Sequence, residues 1–155
     1  MARLKCVCGA GLSNTNAPSE NILYVFTRTE VDNAINNNSK ITLYDFETDI
    51  NREYEFWYCQ DCKRVMVVER KPCGRIIDSY NICSSRETVS EQDLTEIYVF
   101  SDIDIYNAEE DNIKLLLSAF IHQYGEEHLH LVSSDKKNIY KRSHDNTYEL
   151  IYIKE

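Results

Sequence analysis

Two short cysteine-containing turns constrain the fold of this chain more than any other feature. A C-x-C-G turn spans residues 6–9 and a C-x-x-C turn spans residues 59–62. Each turn supplies two sulfur atoms at close spacing, which is what a tetrahedral zinc ion bound by four thiolates requires. The long gap between the turns is acceptable because the entropy of loop closure grows only slowly with length. The predicted ligands of one structural Zn²⁺ are Cys6, Cys8, Cys59 and Cys62.

The remaining context of the cysteines favours metal binding over disulfides. The chain has six cysteines in 155 residues, and the basic residues of segment 1–6 are not followed by the apolar run of a signal peptide. No segment approaches the ~18 uninterrupted apolar residues of a membrane helix. We therefore predict a cytoplasmic protein, in which cysteines stay reduced and are available to a metal.

The residues beside the two turns also suit a metal site. Gly9 follows the second cysteine of its turn, where the backbone often needs a positive φ to direct amides at the sulfurs. Lys63 and Arg64 follow Cys62. We expect their positive charges to offset part of the negative charge of a four-thiolate site.

The paired turns resemble those of zinc ribbons, in which two knuckles on neighbouring hairpins hold one ion. The resemblance covers residues 3–12 and 55–68 and implies a structural role for the metal. It departs from the usual pattern because the first turn is C-x-C and the gap is long. A site with four thiolates is closed to water and substrate, so we predict that the protein is not an enzyme.

Two further cysteines lie outside this set. A strand over residues 63–70 would carry the chain ~25 Å from the second turn, which places Cys73 far from the metal. The returning strand brings Cys83 back toward the metal, so Cys83 is the substitute ligand if Cys6 or Cys8 does not bind. The alternative for Cys83 is a small buried core residue.

Two segments 74 residues apart have similar sequences. Residues 23–35 and 97–109 share five identical aligned positions, and the similarity extends plausibly to residues 149–151. We interpret this as a tandem duplication with a zinc-bearing half at 1–84 and a metal-free half at 85–155, which can also form one continuous domain. The identical positions are Tyr24, Val25, Phe26, Asn33 and Ala34, recurring as Tyr98, Val99, Phe100, Asn107 and Ala108.

Hydrophobic patterns predict an α+β fold of two similar β-α-β-β-β halves. The first helix is expected at 30–35 and the second at 108–124, between Asn107 as N-cap and Gly125 as the stop. Residues 41–47 look like an additional strand. The other predicted strands are 22–26, 54–58, 64–69, 75–82, 97–100, 128–132, 138–141 and 148–153.

The charge of the chain limits its partners. The net charge of −9 argues against a general nucleic-acid binder, whereas it suits either a plain solvated surface or a basic protein partner. A small acidic chain without a catalytic motif resembles bacterial immunity and inhibitor proteins in general character. This resemblance implies a protein-interaction module that occludes a basic partner. The predicted contact residues are Glu109, Glu110, Asp111, Glu126 and Glu127.

Two alternative functions remain open. A nucleic-acid-binding zinc ribbon would use the basic residues near the second turn, with Trp57 and Tyr58 stacking on bases. A cysteine-based enzyme would use Cys73 or Cys83 as its nucleophile. We expect His128 and His130, which alternate with leucines, to face solvent from a strand. The basic residues are Lys63, Arg64, Arg70, Lys71 and Arg75.

Overall fold

A closed barrel of eight antiparallel strands forms the centre of the structure, which is a computed structural model. It describes residues 3–50, 52–71, 74–87, 89, 93–111, 115–143 and 147–155, and of residues 86, 87 and 109–111 it describes only the backbone. The strands are β1 (Arg3–Lys5), β2 (Gly11–Ser13), β3 (Ile22–Thr27), β4 (Tyr54–Tyr58), β5 (Val65–Glu69), β6 (Arg75–Glu87), β7 (Leu94–Ser101), β8 (Leu129–Ser133), β9 (Asn138–Arg142) and β10 (Tyr148–Lys154). The helices are α1 (Arg28–Asn37), α2 (Leu43–Asp49), α3 (Asp102–Asp111) and α4 (Leu117–His128).

Strands from both parts of the chain form one ring. Its order is β3-β4-β5-β6-β10-β9-β8-β7, and β7 pairs with β3 to close it, with Val25 opposite Val99. β6 passes without a break through residue 84. β1 and β2 form a separate hairpin outside the ring. All eight barrel strands are among those that the sequence predicts.

α1 and α3 begin with the same hydrogen bonds. Before α1, the Thr27 hydroxyl accepts from the amide of Glu30, and the Glu30 carboxylate accepts from the amide of Thr27. Ser101 and Asp104 make the same two bonds before α3. This capping box satisfies amides that the first helical turn leaves without partners.

The helices cover the outer face of β3 and β7. Alternate residues of a strand point to opposite faces, so Phe26 and Phe100 face the helices while their neighbours face the lumen. Phe26 contacts Phe46 of α2 at 4.9 Å between ring centroids, and Phe100 contacts Phe120 of α4 at 5.0 Å. Within the described residues, no helix is both long and apolar enough to cross a membrane.

The helix predictions were only partly correct. The single helix predicted at 108–124 is wrong, because α3 ends at Asp111 and α4 begins at Leu117, with 112–114 outside the described residues. Asn107 lies within α3 rather than at an N-cap. The predicted β-α-β-β-β order of each half is therefore corrected to β-α-α-β-β-β, because two helices lie between its first and second barrel strands.

Two local signals have explanations that only the packing reveals. The strand predicted at 41–47 is wrong: α2 forms there, because Thr42 caps the amide of Asp45 and Phe46 packs against the barrel. Gly125 does not end α4. A Cβ at Gly125 would approach the Tyr98 ring to 3.2 Å, so this glycine allows the helix to lie close to β7.

Candidate metal centre

The first cysteine turn joins β1 to β2. The amide of Cys6 donates to the carbonyl of Ala10, and the amide of Gly9 donates to the carbonyl of Cys6, which closes the turn tightly. Gly9 has a φ of 99°, as the sequence predicts, and a Cβ at this position would meet no atom within 4 Å. Backbone conformation, rather than lack of space, therefore requires the glycine.

The second cysteine turn joins β4 to β5. Its ends are closed by bonds from the Cys59 amide to the Arg64 carbonyl and from the Lys63 amide to the Cys59 carbonyl. Lys63 takes the positive φ of this turn, at 60°. Because β4 and β5 are adjacent barrel strands, this turn is fixed to the rigid part of the molecule.

The four sulfur atoms of the two turns converge, as the sequence predicts. All lie within 4.8 Å of one another. The Cys6 and Cys62 sulfurs are 3.6 Å apart, and so are those of Cys8 and Cys59. A tetrahedral ion with metal–sulfur bonds of 2.3 Å would place its ligand sulfurs about 3.8 Å apart. The cluster can therefore hold a metal ion with little rearrangement.

A small apolar core surrounds the cluster. Cys6 and Cys59 are buried, whereas Cys8 is exposed at the edge of the cluster. Trp57 and Met66, from the outer face of β4 and β5, pack against the hairpin residue Leu12. This core is small, so a metal would strengthen the attachment of the hairpin to the barrel.

The thiols of the cluster differ in their acidity without a metal. Burial is the main cause that raises the pKa of Cys6 to about 12. Burial also opposes ionisation of Cys59, but amides of Cys62 and Asp61 donate to its sulfur and lower its pKa to about 7. Amides directed at sulfur are the outer-shell contacts that stabilise metal thiolates.

The two basic residues beside the second turn have other partners. The Lys63 ammonium lies over the Tyr58 ring, 5.8 Å from its centroid. Arg64 donates to Asn81 and to the carboxylate of Glu155. Arg64 therefore links the second turn to β6 and to the residue that follows β10, whereas Lys63 packs against the strand that leads into the turn.

The other cysteines and the candidate stacking residue are placed differently. Cys83 is absent from the sulfur cluster and packs against a separate core on the outer face of β8, β9 and β10. Cys73 lies outside the described residues. Trp57 is 1% exposed and its indole N–H donates to Glu55, so its ring offers no face for stacking on a base.

The predicted partner contacts lie on two helices. Glu126 and Glu127 are exposed near the end of α4. Glu109, Glu110 and Asp111 belong to the last turn of α3, and their side chains are outside the described part of the structure.

The prediction of two solvent-facing histidines is wrong. His128 ends α4 with its ring 4.8 Å from that of Phe100, and His130 lines the lumen of the barrel. Both faces of β8 carry apolar side chains, since Leu131 is buried outside the barrel and Val132 faces the lumen. The sequence pattern therefore could not show that the face of His130 is also enclosed.

Comparison with known proteins identifies a family for this chain. No curated protein and no solved structure matches it. A family model does match, over a segment that contains both cysteine turns and more than half of the chain. By its match to residues 2–84, the chain belongs to the family described as Domain of unknown function (DUF8617).

Proposed function

We propose that the four clustered cysteines hold one structural Zn²⁺ ion, with the two turns acting as zinc-ribbon knuckles. The sulfur spacing supports this, as does the preference of zinc for four thiolates in structural sites. Each short contact joins one cysteine of the hairpin to one of the barrel, so the ion ties β1 and β2 to β4 and β5. Such a site needs reduced cysteines, which supports a cytoplasmic location.

We also propose that the chain arose by tandem duplication, with copies at 1–84 and 85–155. The contact between Phe26 and Phe46 recurs between Phe100 and Phe120 at the same offset of 74 residues. α1 and α3 start at this offset, and so do α2 and α4. The matched family segment, 2–84, corresponds to the first copy.

Only the first copy carries the metal in this proposal. The position equivalent to Cys59 is Ser133, at the end of β8. The Ser133 hydroxyl accepts from the amides of Lys137 and Asn138 and donates to the carboxylate of Asp135. Hydrogen bonds thus stabilise this turn of the second copy, whereas the equivalent turn of the first copy carries sulfur atoms of the cluster.

For the protein as a whole, we propose an interaction module whose helices bind a basic protein. One observation carries this proposal: the negative charge is concentrated on the helices. They contain twelve of the 26 acidic residues and one of the 17 basic residues, Arg28. The rest of the chain has 14 acidic and 16 basic residues. Because the helices cover β3 and β7, one side of the barrel carries the net charge.

Some of these acidic side chains are available to a partner. Glu30 is paired with Arg52, and Asp102 accepts bonds from the Tyr24 hydroxyl and the Ser19 amide. Glu126 and Glu127 are exposed and form no ion pair with any described residue. Exposed, unpaired carboxylates speed association with a basic surface and favour it over other partners. An immunity or inhibitor protein that occludes a basic site would use such a surface.

The alternative functions receive less support. Arg64, Arg70 and Arg75 each pair with a glutamate, which reduces the positive charge available to phosphates. The buried ring of Trp57 cannot stack on a base. We propose no catalytic role for Cys83, whose side chain packs in the outer core beside β8.

The interaction proposal can be tested with matched charge variants. Glu126→Gln with Glu127→Gln removes two helical charges, and Glu53→Gln with Glu149→Gln removes two exposed charges from the strands and loops. We expect the wild-type chain and the strand variant to capture the same basic protein from host-cell extract. With purified components, we expect nanomolar binding that weakens at least about tenfold in the helix variant. Equal weakening in both variants, or an acidic partner, would contradict the proposal.

A further inference from the structure

The lumen of the barrel is not filled by side chains. It contains a cavity of about 590 Å³, and all eight barrel strands contribute to its lining. Protein interiors are normally packed as densely as organic crystals, with few voids larger than a water molecule. A volume of this size is within the range of about 300–1,000 Å³ that small-molecule sites occupy.

Mainly apolar side chains line the cavity. Val25 and Val99 face each other from β3 and β7, and Ile97, Val132 and Ile139 extend the same surface around the barrel. These five side chains are only partly buried or lie near the limit of burial, although they point into the barrel. Their exposed area is therefore surface that an apolar ligand could cover.

The cavity reaches the surface at both ends of the barrel, because β4 and β8, whose following turns contribute to its lining, run in opposite directions. Glu20, Gln60 and Lys136 belong to its lining and are themselves exposed to solvent. A ligand can therefore enter beside the turns that follow β4 and β8. The polar groups at either end would contact the solvated end of a bound molecule.

Residue size at equivalent positions accounts for the empty volume. Phe56 and Tyr58 of β4 point into the lumen, and the positions 74 residues later in β8 are His130 and Val132. The β8 side chains are smaller than their β4 counterparts. Space therefore opens beside β8, next to the histidine.

His130 presents a hydrogen-bond acceptor to this space. Its Nδ1 lies 2.8 Å from the carbonyl oxygen of His128. A carbonyl oxygen only accepts, so Nδ1 carries the proton and Nε2 has a free lone pair. Within the described part of the chain, Nε2 has no hydrogen-bond partner. It is not among buried side-chain atoms that lack a partner, so part of its surface is exposed, and the residue lines the cavity.

The charges near the cavity limit the class of ligand. Arg52 lines the lumen, but its guanidinium is bonded to Glu30 and lies over the Phe26 ring. Lys136 is exposed in the turn after β8. The interior thus offers no unpaired cation, among the described residues, to a carboxylate or phosphate, whereas it offers an acceptor to a neutral donor.

We propose that the barrel lumen binds a small uncharged molecule with an apolar body and one hydroxyl or N–H group, which donates to Nε2 of His130. The apolar body would cover the valine and isoleucine side chains of the lumen. The donor would supply the hydrogen bond that Nε2 lacks. The lining includes Gln60 of the second cysteine turn and Ile103 of α3, but none of the four cysteines and none of the acidic helix residues.

A matched pair of probes tests the site. 2-Naphthol has an apolar bicyclic body and a hydroxyl donor, and its methyl ether has the same body without the donor. By calorimetric titration of the metal-loaded full chain, we expect one 2-naphthol per chain and binding about tenfold tighter than that of the ether. His130→Phe should abolish this preference while the ether still binds.

Two further measurements separate the proposal from nonspecific binding. Val132→Phe should fill the lumen and weaken both probes more than tenfold, with the thermal midpoint reporting whether the variant is folded. In the wild-type protein, the ¹⁵N shift of His130 Nε2 should change with 2-naphthol and not with the ether, which needs no folded variant. No saturable binding, an equal affinity for both probes, or an unchanged Nε2 shift would overturn the proposal.

Discussion

The sulfur atoms of Cys6 and Cys62 lie 3.6 Å apart although 56 residues separate them in the chain. Cys6 belongs to the N-terminal hairpin and Cys62 to a turn of the barrel. Described residues of both parts also form a small core around Trp57. The stability of the hairpin should therefore depend on what the cysteines bind.

The first prediction concerns metal content. We expect one zinc per chain in the native protein and none in Cys59→Ser, because Cys59 is a buried member of the sulfur cluster. Cys83→Ser is the matched control and should keep the metal, since Cys83 packs elsewhere. Native mass spectrometry measures both. Zinc lost only from the Cys83 variant would contradict the assignment of the cluster.

Chelation of the metal should loosen the hairpin first. A ligand at about 1,000 times its dissociation constant stabilises the folded state by about 4 kcal/mol, so its removal should lower the thermal midpoint clearly. Amides of β1 and β2 should then exchange faster, whereas those of β7 should stay protected. Hydrogen exchange with and without a chelator measures this difference. Uniform loss of protection across the barrel would indicate a different role for the metal.

The cysteine cluster could be predicted from the sequence because its spacing alone specifies the chemistry. Two sulfurs on one tight turn are close whatever the rest of the fold does, so only the meeting of two turns depended on the tertiary structure. The φ of Gly9 followed from the same local argument. The strands were predicted well for a related reason, since runs rich in β-branched residues, such as 65–68, are strong local signals.

The lumen and the helix boundaries could not be predicted, because they depend on contacts between distant residues. Gly125 is a typical stop signal, yet the ring of Tyr98 explains its presence inside α4. Similarly, His130 and Leu131 lie on opposite faces of β8. His130 faces the barrel lumen, and Leu131 packs in an outer core. Alternation along the sequence does not reveal which face closes around a cavity.

The third prediction concerns pH and His130. Burial lowers the pKa of His130 below its ordinary value of 6.5, so the folded state keeps this side chain neutral. The unfolded state takes up a proton below pH 6.5, which makes unfolding more favourable as the pH falls. Stability should therefore decrease below about pH 6.5, by at most about 1.4 kcal/mol per pH unit, until the folded state also binds the proton.

The His130→Phe variant should lack the part of the stability loss below pH 6.5 that comes from protonation of His130. Urea unfolding at several pH values between 7.5 and 5.5, with the metal present, would compare the free energies of unfolding of the wild-type protein and the variant. The other titratable groups, including the cysteines, are present in both proteins. The free energy of unfolding of the wild-type protein should fall relative to that of the variant as the pH decreases, and parallel curves would show that the environment of His130 does not oppose its charge.

The fourth prediction follows from the repeated helix caps. Thr27→Ala and Ser101→Ala each remove a side chain that accepts from the amide three residues later. We expect each to lower the free energy of unfolding by about 1 kcal/mol, with nearly additive effects in the double variant. Denaturant unfolding measures all three. A large cost at one cap and none at the other would weaken the case for equivalent copies.

The last prediction concerns the turn that occupies the place of the second cysteine turn in the other half. The hydroxyl of Ser133 accepts from the amides of Lys137 and Asn138, so Ser133→Ala removes both bonds, although the Lys137 amide keeps its bond to the Asp135 carboxylate. We expect a loss of about 1 kcal/mol, because each such bond contributes modestly in a partly solvated site. The adjacent Ser134→Ala is the control, since the Ser134 side chain is exposed. Neither variant should change the zinc content, because Cys6, the other three ligands and their hairpin are untouched. A change in metal content with Ser133→Ala would mean that the turn at Ser133 and the second cysteine turn are not independent. Loss of stability in one half would then weaken metal binding in the other.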